Sequence, residues 1–162
     1  MNSNITPLQR IVWESLLDSD MNARYWRRLG RRYYSLDKAA KIFVAVASSA
    51  VVASWALWKD FPELWKLLSG VSAIVALIQP FADWSGQARS MAALRAKWSH
   101  LETSYEVLWA KSRQMTDAEL ESALGELKVK ENDLIEPEAN LPHDDDLLEQ
   151  CFNEVIVSRG LA

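Results

Sequence analysis

The sequence predicts an all-α membrane protein in which a two-span transmembrane helical hairpin has cytoplasmic helices before and after it. Strand signals are scarce, since the 162 residues contain only five glycines and no sustained apolar–polar alternation. Two apolar runs, at 42–58 and 67–82, contain no charged residue. The connector between them, WKDFPELW (58–65), is short, so the two runs are expected to pair as a hairpin.

Three domains are expected from this layout. Residues 1–38 form N-terminal cytoplasmic and interfacial helices, 39–83 form the hairpin, and 84–162 form a cytoplasmic helical domain. Charge is unevenly distributed along the chain. The total is −4, but residues 1–58 carry 8 basic and 4 acidic residues, whereas residues 115–162 carry 3 basic and 13 acidic residues. Such asymmetry indicates that the basic part contacts an anionic surface.

The first helix is predicted to start at Thr6-Pro7-Leu8-Gln9. Thr6 suits the N-cap, Pro7 suits the first helical position, and Gln9 completes a capping box. The run Asp18-Ser19-Asp20 is predicted to end this helix and to cap the next one, over about 21–34.

The second predicted helix carries five arginines on one face, at spacings of three and four residues: Arg24, Arg27, Arg28, Arg31 and Arg32. Trp26, Leu29 and Tyr33 fall near the opposite face. A basic face opposite an aromatic face is typical of a helix that lies in a membrane interface. A surface helix packed on a protein core and a nucleic-acid-binding stripe are the alternatives. The apolar run that follows favours the membrane, and no direct nucleic-acid binding is expected.

Each apolar run approaches the length of a transmembrane span, which is about 20 residues for a hydrocarbon core of about 30 Å. The uncharged lengths are 17 and 16 residues. They become 20 residues (39–58) and 19 residues (64–82) if Lys41 and Lys66 extend their ammonium groups toward the interface.

Aromatic and basic residues at the ends of the runs favour the same prediction. Four tryptophans are expected to anchor the spans at the interfaces: Trp55, Trp58, Trp65 and Trp84. Basic residues precede the first run and follow the second, whereas those of the connector are balanced by acidic residues. The positive-inside rule therefore places both termini in the cytoplasm, with the protein in the bacterial inner membrane.

Both predicted spans carry a distinctive face. Small residues that permit close helix packing repeat along the first span at Ala45, Ser49, Ala53 and Ala56. Ser69, Ser72 and Gln79 place polar groups on one face of the second span. These three are expected either to form hydrogen bonds between helices or to line a pore.

A long helix is predicted over 84–115, with an apolar seam of period 3.5: Met91, Leu94, Trp98, Leu101, Tyr105 and Leu108. Packing in a small helical bundle is favoured over a coiled coil, because the seam lasts less than three heptads. Thr116 and Glu119 form a second capping box, ahead of Leu120, Leu124 and Leu127.

The C-terminal part of the chain is predicted to contain a linker and one more helix. The linker covers 132–142, which is acidic and holds two prolines. The last helix starts at 143–146, carries the apolar stripe Leu148, Cys151, Phe152 and Val155, and ends at Gly160.

No catalytic, cofactor-binding or metal-binding residues are identified, and the protein is not expected to be an enzyme. The chain lacks a nucleophile elbow, a phosphate-binding loop and a dinucleotide fingerprint. One cysteine and two histidines exclude a CxxC site and most histidine-rich metal sites. The acidic run after His143 is typical of a helix start that the helix dipole stabilises.

The layout resembles that of the SLATT-type two-transmembrane proteins of bacterial defence islands and of the small two-span effectors encoded beside retrons. The likeness is carried by RYWRRLGRRYYSLDKAAKIFVAV (24–46), the short connector, and AALRAKWSHLETSYEVLWAKS (92–112). It implies an effector that oligomerises in the inner membrane and permeabilises or depolarises it, causing abortive infection in anti-phage defence. The implied partners are the lipid membrane, further copies of the chain, and a cytoplasmic sensor or regulatory protein. That sensor is expected to be a reverse transcriptase–ncDNA complex or the signal of a nucleotidyltransferase.

Two other functions fit the same sequence. In the first, the chain is a non-toxic membrane anchor or assembly subunit whose acidic helical domain recruits a cytoplasmic partner. In the second, the chain is a soluble all-helical protein.

Overall fold

The computed structural model describes residues 5–57 and 62–161, with all their side chains except those of 47–57, 62–66, 68, 69 and 79–81. All regular structure in the described part is helical, as predicted. Its helices are α1 (Pro7–Leu57), α2 (Pro62–Ala82), α3 (Trp84–Lys111), α4 (Asp117–Asn132), α5 (Ile135–Ala139) and α6 (Asp145–Ser158). The chain divides into two compact units: unit 1 contains Met1–Gly30 and Arg89–Ala162, and unit 2 contains Arg31–Ala88.

The prediction of a transmembrane hairpin is wrong. Among the described residues, no helix combines the length and the apolar character that crossing a bilayer requires. This finding overturns the two-span fold class, the multi-pass inner-membrane location and the predicted pore. The predicted runs reached span length only by including a lysine each, and Lys41 forms an ion pair with Asp37 at 2.7 Å, one helical turn away. The first run is also the end of a 51-residue helix that begins among polar residues.

Helix α1 begins as predicted. The backbone N–H of Gln9 donates to Thr6 Oγ1 at 3.2 Å, and the backbone N–H of Thr6 donates to Gln9 Oε1 at 3.1 Å. The predicted break at 18–20 is wrong, because these side chains bond within the helix. Ser19 Oγ donates to the carbonyl of Ser15 at 2.8 Å, and Asp20 accepts from Arg24. The chain therefore continues as one helix where two were expected.

The core of unit 1 is a helical bundle. All six residues of the predicted α3 seam are buried, which confirms bundle packing of that face. Leu120, Leu124 and Leu127 of α4 are buried as well. Helix α1 contributes the buried residues Val12, Leu16, Tyr25, Trp26 and Leu29 to this bundle.

The apolar stripe of α6 differs from the predicted one. The buried residues are Leu147, Cys151 and Val155, whereas Phe152 is 51% exposed. The buried set has a spacing of four residues and forms one narrow line along the helix. The helix ends as predicted, at Gly160 with φ +66°.

The predicted linker at 132–142 is partly helical. It contains α5, and Leu134 just before that helix is buried. The carboxylate of Glu138 accepts hydrogen bonds from the indole N–H groups of Trp26, at 3.0 Å, and Trp98. A buried indole N–H needs an acceptor, so these contacts hold the segment on the bundle.

The turn between α2 and α3 lies within unit 2. Asp83 has φ +35°, and its Oδ1 accepts the backbone N–H of Gly86 at 3.0 Å. A Cβ atom on Gly86 would lie only 2.0 Å from an Asp83 carboxylate oxygen. A side chain at position 86 would therefore displace the Asp83 carboxylate from this position.

We expect Thr116→Ala to lower the free energy of unfolding by about 1 kcal/mol, because it removes the capping box of α4. In that box, Thr116 and Glu119 exchange hydrogen bonds of 2.9 Å and 3.4 Å. Urea denaturation followed by circular dichroism measures the effect. Thr103→Ala is the matched control, since Thr103 is exposed inside α3 and its hydroxyl donates only to the Ser99 carbonyl. An equal loss in both variants would contradict the role of the cap.

Candidate functional site

The five arginines predicted to lie on one basic face have different surroundings. Arg24 pairs with Asp20 at 2.5 Å, and Arg28 contacts both carboxylate oxygens of Glu154 on α6, at 2.6 Å and 2.8 Å. Arg27 is exposed in unit 1. Arg31 and Arg32 are exposed in unit 2.

The aromatic side of this helix faces protein. Tyr25, Trp26 and Leu29 are buried in the bundle of unit 1, with Tyr25 only 1% exposed. Tyr25 and Trp26 pack edge to face at 4.9 Å. The surface-helix alternative predicted this packing for Trp26 and Leu29, whereas its third residue, Tyr33, is half-buried in unit 2.

A buried carboxylate joins three helices of unit 1. The side chain of Asp20, on α1, is 4% exposed and accepts from Arg24 Nε at 2.5 Å and from Arg159 Nε at 3.1 Å. Arg159 follows the end of α6 and also reaches Glu106, at 2.9 Å, and Glu102, at 3.4 Å, on α3. The hydrogen bond with Asp20 raises the pKa of Arg24.

A cleft of about 390 Å³ opens beside this carboxylate, between α1 and α3. Its lining comprises Asp20, Ala23, Arg24, Arg27, Arg95, Ser99 and Glu102. Arg27 and Arg95 are exposed there. Burial raises the pKa of Glu102, with further contributions from the charges of Asp20 and Glu106. We call this feature the arginine cleft.

The arginine pattern of the sequence indicates only the α1 side of the arginine cleft. Arg95, Ser99 and Glu102 of α3 are spaced at i, i+4 and i+7, so they share one helical face outside the apolar seam. That spacing is a signal in the sequence. Its meaning depends on the packing of α3 against α1, which the pattern does not specify.

A smaller recess of about 220 Å³ lies between α3 and the end of α4. Its lining comprises Lys97, His100, Leu101, Lys130, Asp133 and Leu134. His100 is exposed.

The start of α6 is fixed by Tyr25. Its hydroxyl accepts the backbone N–H of Asp144 at 2.9 Å and lies 3.3 Å from His143 Nδ1. Asp144 caps α6 by accepting the backbone N–H of Leu147 at 2.9 Å. Within the described residues, no three acidic, histidine or cysteine side chains are grouped so that they could hold a metal ion.

Most residues predicted to matter in the hairpin fall outside the described side chains. These are Ser49, Ala53, Ala56, Ser69 and Gln79, together with the tryptophans at 55, 58 and 65. Of the remainder, Ala45 is exposed, whereas Ser72 and Trp84 are half-buried.

The described part of α2 presents a broad apolar surface. The exposure of ten residues is described between Leu67 and Ile78, and eight of them are exposed, all but Ser72 and Val75. The large ones among the eight are 42–69% exposed: Leu67, Val71, Ile74, Leu77 and Ile78. At 100° per residue the exposed positions cover roughly 220° of the helix circumference. We call these five side chains the α2 apolar face.

No family model, curated protein or solved structure matches this chain. The likeness to SLATT-type and retron-associated proteins therefore stays a prediction.

We expect Asp20→Asn to lower the free energy of unfolding by about 2 kcal/mol, because it weakens charge-assisted hydrogen bonds to two arginines at a buried position. Urea denaturation measures the change. Glu106→Gln is the control, since its carboxylate meets the same Arg159 but is 49% exposed, and its effect should stay within about 0.5 kcal/mol. A larger loss in the control would show that Asp20 is not the centre of this network.

We expect Glu102→Gln to change the pH dependence of stability. Burial raises the pKa of Glu102 above 4.5 in the folded state, so the folded chain keeps this proton to higher pH than the unfolded chain. Stability is therefore lost as the pH rises through the interval between the unfolded and folded pKa values. The variant avoids that loss.

We compare the free energy of unfolding of Glu102→Gln with that of the unaltered chain. The difference, variant minus unaltered chain, should be more positive at pH 7 than at pH 4. Urea denaturation at both pH values measures it. Glu121→Gln, at an exposed position of α4, should show a smaller dependence. The same relative stability at both pH values would contradict the predicted effect of burial.

Proposed function

We propose that the protein is a non-enzymatic assembly subunit that associates with further copies of itself through the α2 apolar face. Unit 1 would then present its surface several times in one particle and recruit a partner. This is the assembly alternative of the sequence analysis without its membrane anchor. The observation that carries it is the exposure of five large apolar side chains on α2.

Helices that are apolar around most of their circumference are normally covered. Between Leu67 and Ile78, the described residues of α2 are uncovered over more than half of the helix circumference. Contiguous apolar surface of this kind marks an interaction site.

The absence of charged residues from this surface favours a second copy of the chain as the partner that covers the α2 apolar face. Residues 67–82 contain no Asp, Glu, Lys or Arg. In a two-fold symmetric interface each residue near the axis meets its own copy, so a charged residue there would face an identical charge. A charge-free surface avoids this repulsion. The exposed Gly70, Ala73 and Ala76 also permit a close approach of two helices.

The apolar surface sets the expected strength. The five side chains expose the equivalent of roughly three complete side chains, so burying them on both copies contributes roughly 9–17 kcal/mol. Association costs about 4–15 kcal/mol in lost freedom. A net gain of a few kcal/mol corresponds to dissociation constants from about 1 mM to about 1 μM.

Charge supports unit 1 as the recruiting part. Residues 115–162, all within this unit, carry 13 acidic and 3 basic residues. A partner with a basic surface fits this composition. A role in anti-phage defence, and a sensor that acts on this protein, remain predictions of the resemblance. The effector function requires spanning helices, and the described residues form none.

The test is sedimentation of the full chain in detergent-free buffer, from about 1 μM to about 1 mM. The unaltered chain should exceed its monomer mass of 18.4 kDa as the concentration rises. The double variant Val71→Glu with Ile74→Glu should stay at that mass, because it places carboxylates on the α2 apolar face. Circular dichroism verifies that the variant keeps its helix content.

Val157→Glu is the matched control, since Val157 is 68% exposed on α6 of unit 1 and should not affect association. A chain that remains a monomer at every concentration overturns the proposal. A chain that is a monomer alone but binds lipid vesicles, or one other protein, through Val71 and Ile74 also overturns it, and assigns the face to that occupant.

A further inference from the structure

The arginine cleft holds two guanidinium groups that no described residue neutralises. Arg27 of α1 and Arg95 of α3 both line it, and both are exposed. Neither forms an ion pair or a hydrogen bond with another side chain of the described part. Two like charges that line one cavity repel each other, and an anion bound between them relieves this repulsion.

The carboxylates of the cleft are already paired with other groups. Asp20 accepts from Arg24 and Arg159, and Glu102 lies 3.4 Å from Arg159. Arg159 also pairs with Glu106 at 2.9 Å, so Arg24 and Arg159 are shared among three carboxylates. Arg27 and Arg95 take no part in these pairs, and their two charges bring the group to four positive and three negative charges.

We propose that the arginine cleft binds the phosphate group of a small, polar phosphomonoester. Arg27 and Arg95 supply planar guanidinium groups, whose paired N–H donors match the oxygens of a phosphate. Ser99, on the same face of α3, supplies a hydroxyl donor.

The lining indicates what the rest of the ligand is like. Among the described residues that line the cleft, only Ala23 is apolar, so a large aromatic or aliphatic group would find little contact there. The volume of about 390 Å³ is at the small end of the range for ligand sites. A compact, hydroxyl-rich phosphate of the size of glycerol 3-phosphate fits both features.

This inference does not rest on the proposed self-association. All the residues of the cleft belong to unit 1, whereas the α2 apolar face belongs to unit 2. The two proposals therefore succeed or fail separately.

Calorimetric titration of the full chain with inorganic phosphate and with glycerol 3-phosphate tests the proposal. Saturable binding with one site per chain is expected. Arg27→Gln and Arg95→Gln should each weaken it about tenfold or more, because each removes a charge-assisted contact to the phosphate. Both positions are exposed, so both variants should keep the fold, which circular dichroism verifies.

Arg113→Gln is the matched control, since Arg113 is exposed in unit 1 but does not line the cleft. It should leave the affinity unchanged. An equal loss in this control would assign the binding to general positive charge and overturn the proposal. Binding that both cleft variants leave intact would overturn it as well. If neither soluble ligand binds, the proposal is overturned unless the chain binds phosphatidic acid vesicles and both cleft variants weaken that binding.

A lipid arm distinguishes the source of the phosphate. Flotation with vesicles containing phosphatidic acid, compared with phosphatidylcholine vesicles, presents the same phosphomonoester on a surface. Binding that Arg27→Gln and Arg95→Gln weaken supports the cleft as a phosphate site with a headgroup as its source. Binding to vesicles that only the control variant weakens contradicts it.

Discussion

The buried carboxylate of Asp20 is the contact on which the arrangement of unit 1 depends. It is 4% exposed and holds Arg24 of its own helix together with Arg159, which follows α6. Arg159 in turn reaches Glu102 and Glu106 of α3. One carboxylate thus connects three helices, and its cost of burial is offset only because two guanidinium groups surround it. The same pairing occupies Arg24 and leaves the neighbouring Arg27 available at the arginine cleft.

Acidic residues of the C-terminal half also bind polar or charged groups of other helices in unit 1. Glu138 accepts from two indoles, Glu131 accepts from the hydroxyl of Tyr105 at 2.8 Å, and Glu154 pairs with Arg28. Burial and the nearby Glu131 raise the pKa of Tyr105. Within unit 1, the pair of Arg28 with Glu154 joins the basic N-terminal region to the acidic C-terminal region. Part of the charge that suggested an anionic surface is therefore matched by the chain itself.

Hydropathy alone misidentified the environment of the apolar runs. An apolar, uncharged helix is stabilised in a similar way by lipid tails and by other apolar side chains, since both remove it from water. The prediction of spans depended on counting Lys41 as a residue that reaches the interface, whereas its ammonium group lies against Asp37. That ion pair lies within one helix, at i and i+4. It gives the lysine a partner other than the membrane interface, which a count of apolar residues does not consider. What remains is an uncovered helix face, for which self-association is the proposed cover.

The sequence by itself determined the local features of this protein. These are the capping boxes at Thr6 and Thr116, the six-residue seam of α3 and the end of α6 at Gly160. Each depends on residue types at short spacings in one segment, so the sequence pattern predicts it. Tertiary structure decided the rest. Asp18-Ser19-Asp20 has the composition of a break, yet it stays helical because Ser19 bonds to its own helix and Asp20 meets Arg159, which is 139 residues away. The α3 side of the arginine cleft and the acceptor role of Glu138 likewise depend on which helices pack together, and spacing along one helix does not encode its neighbours.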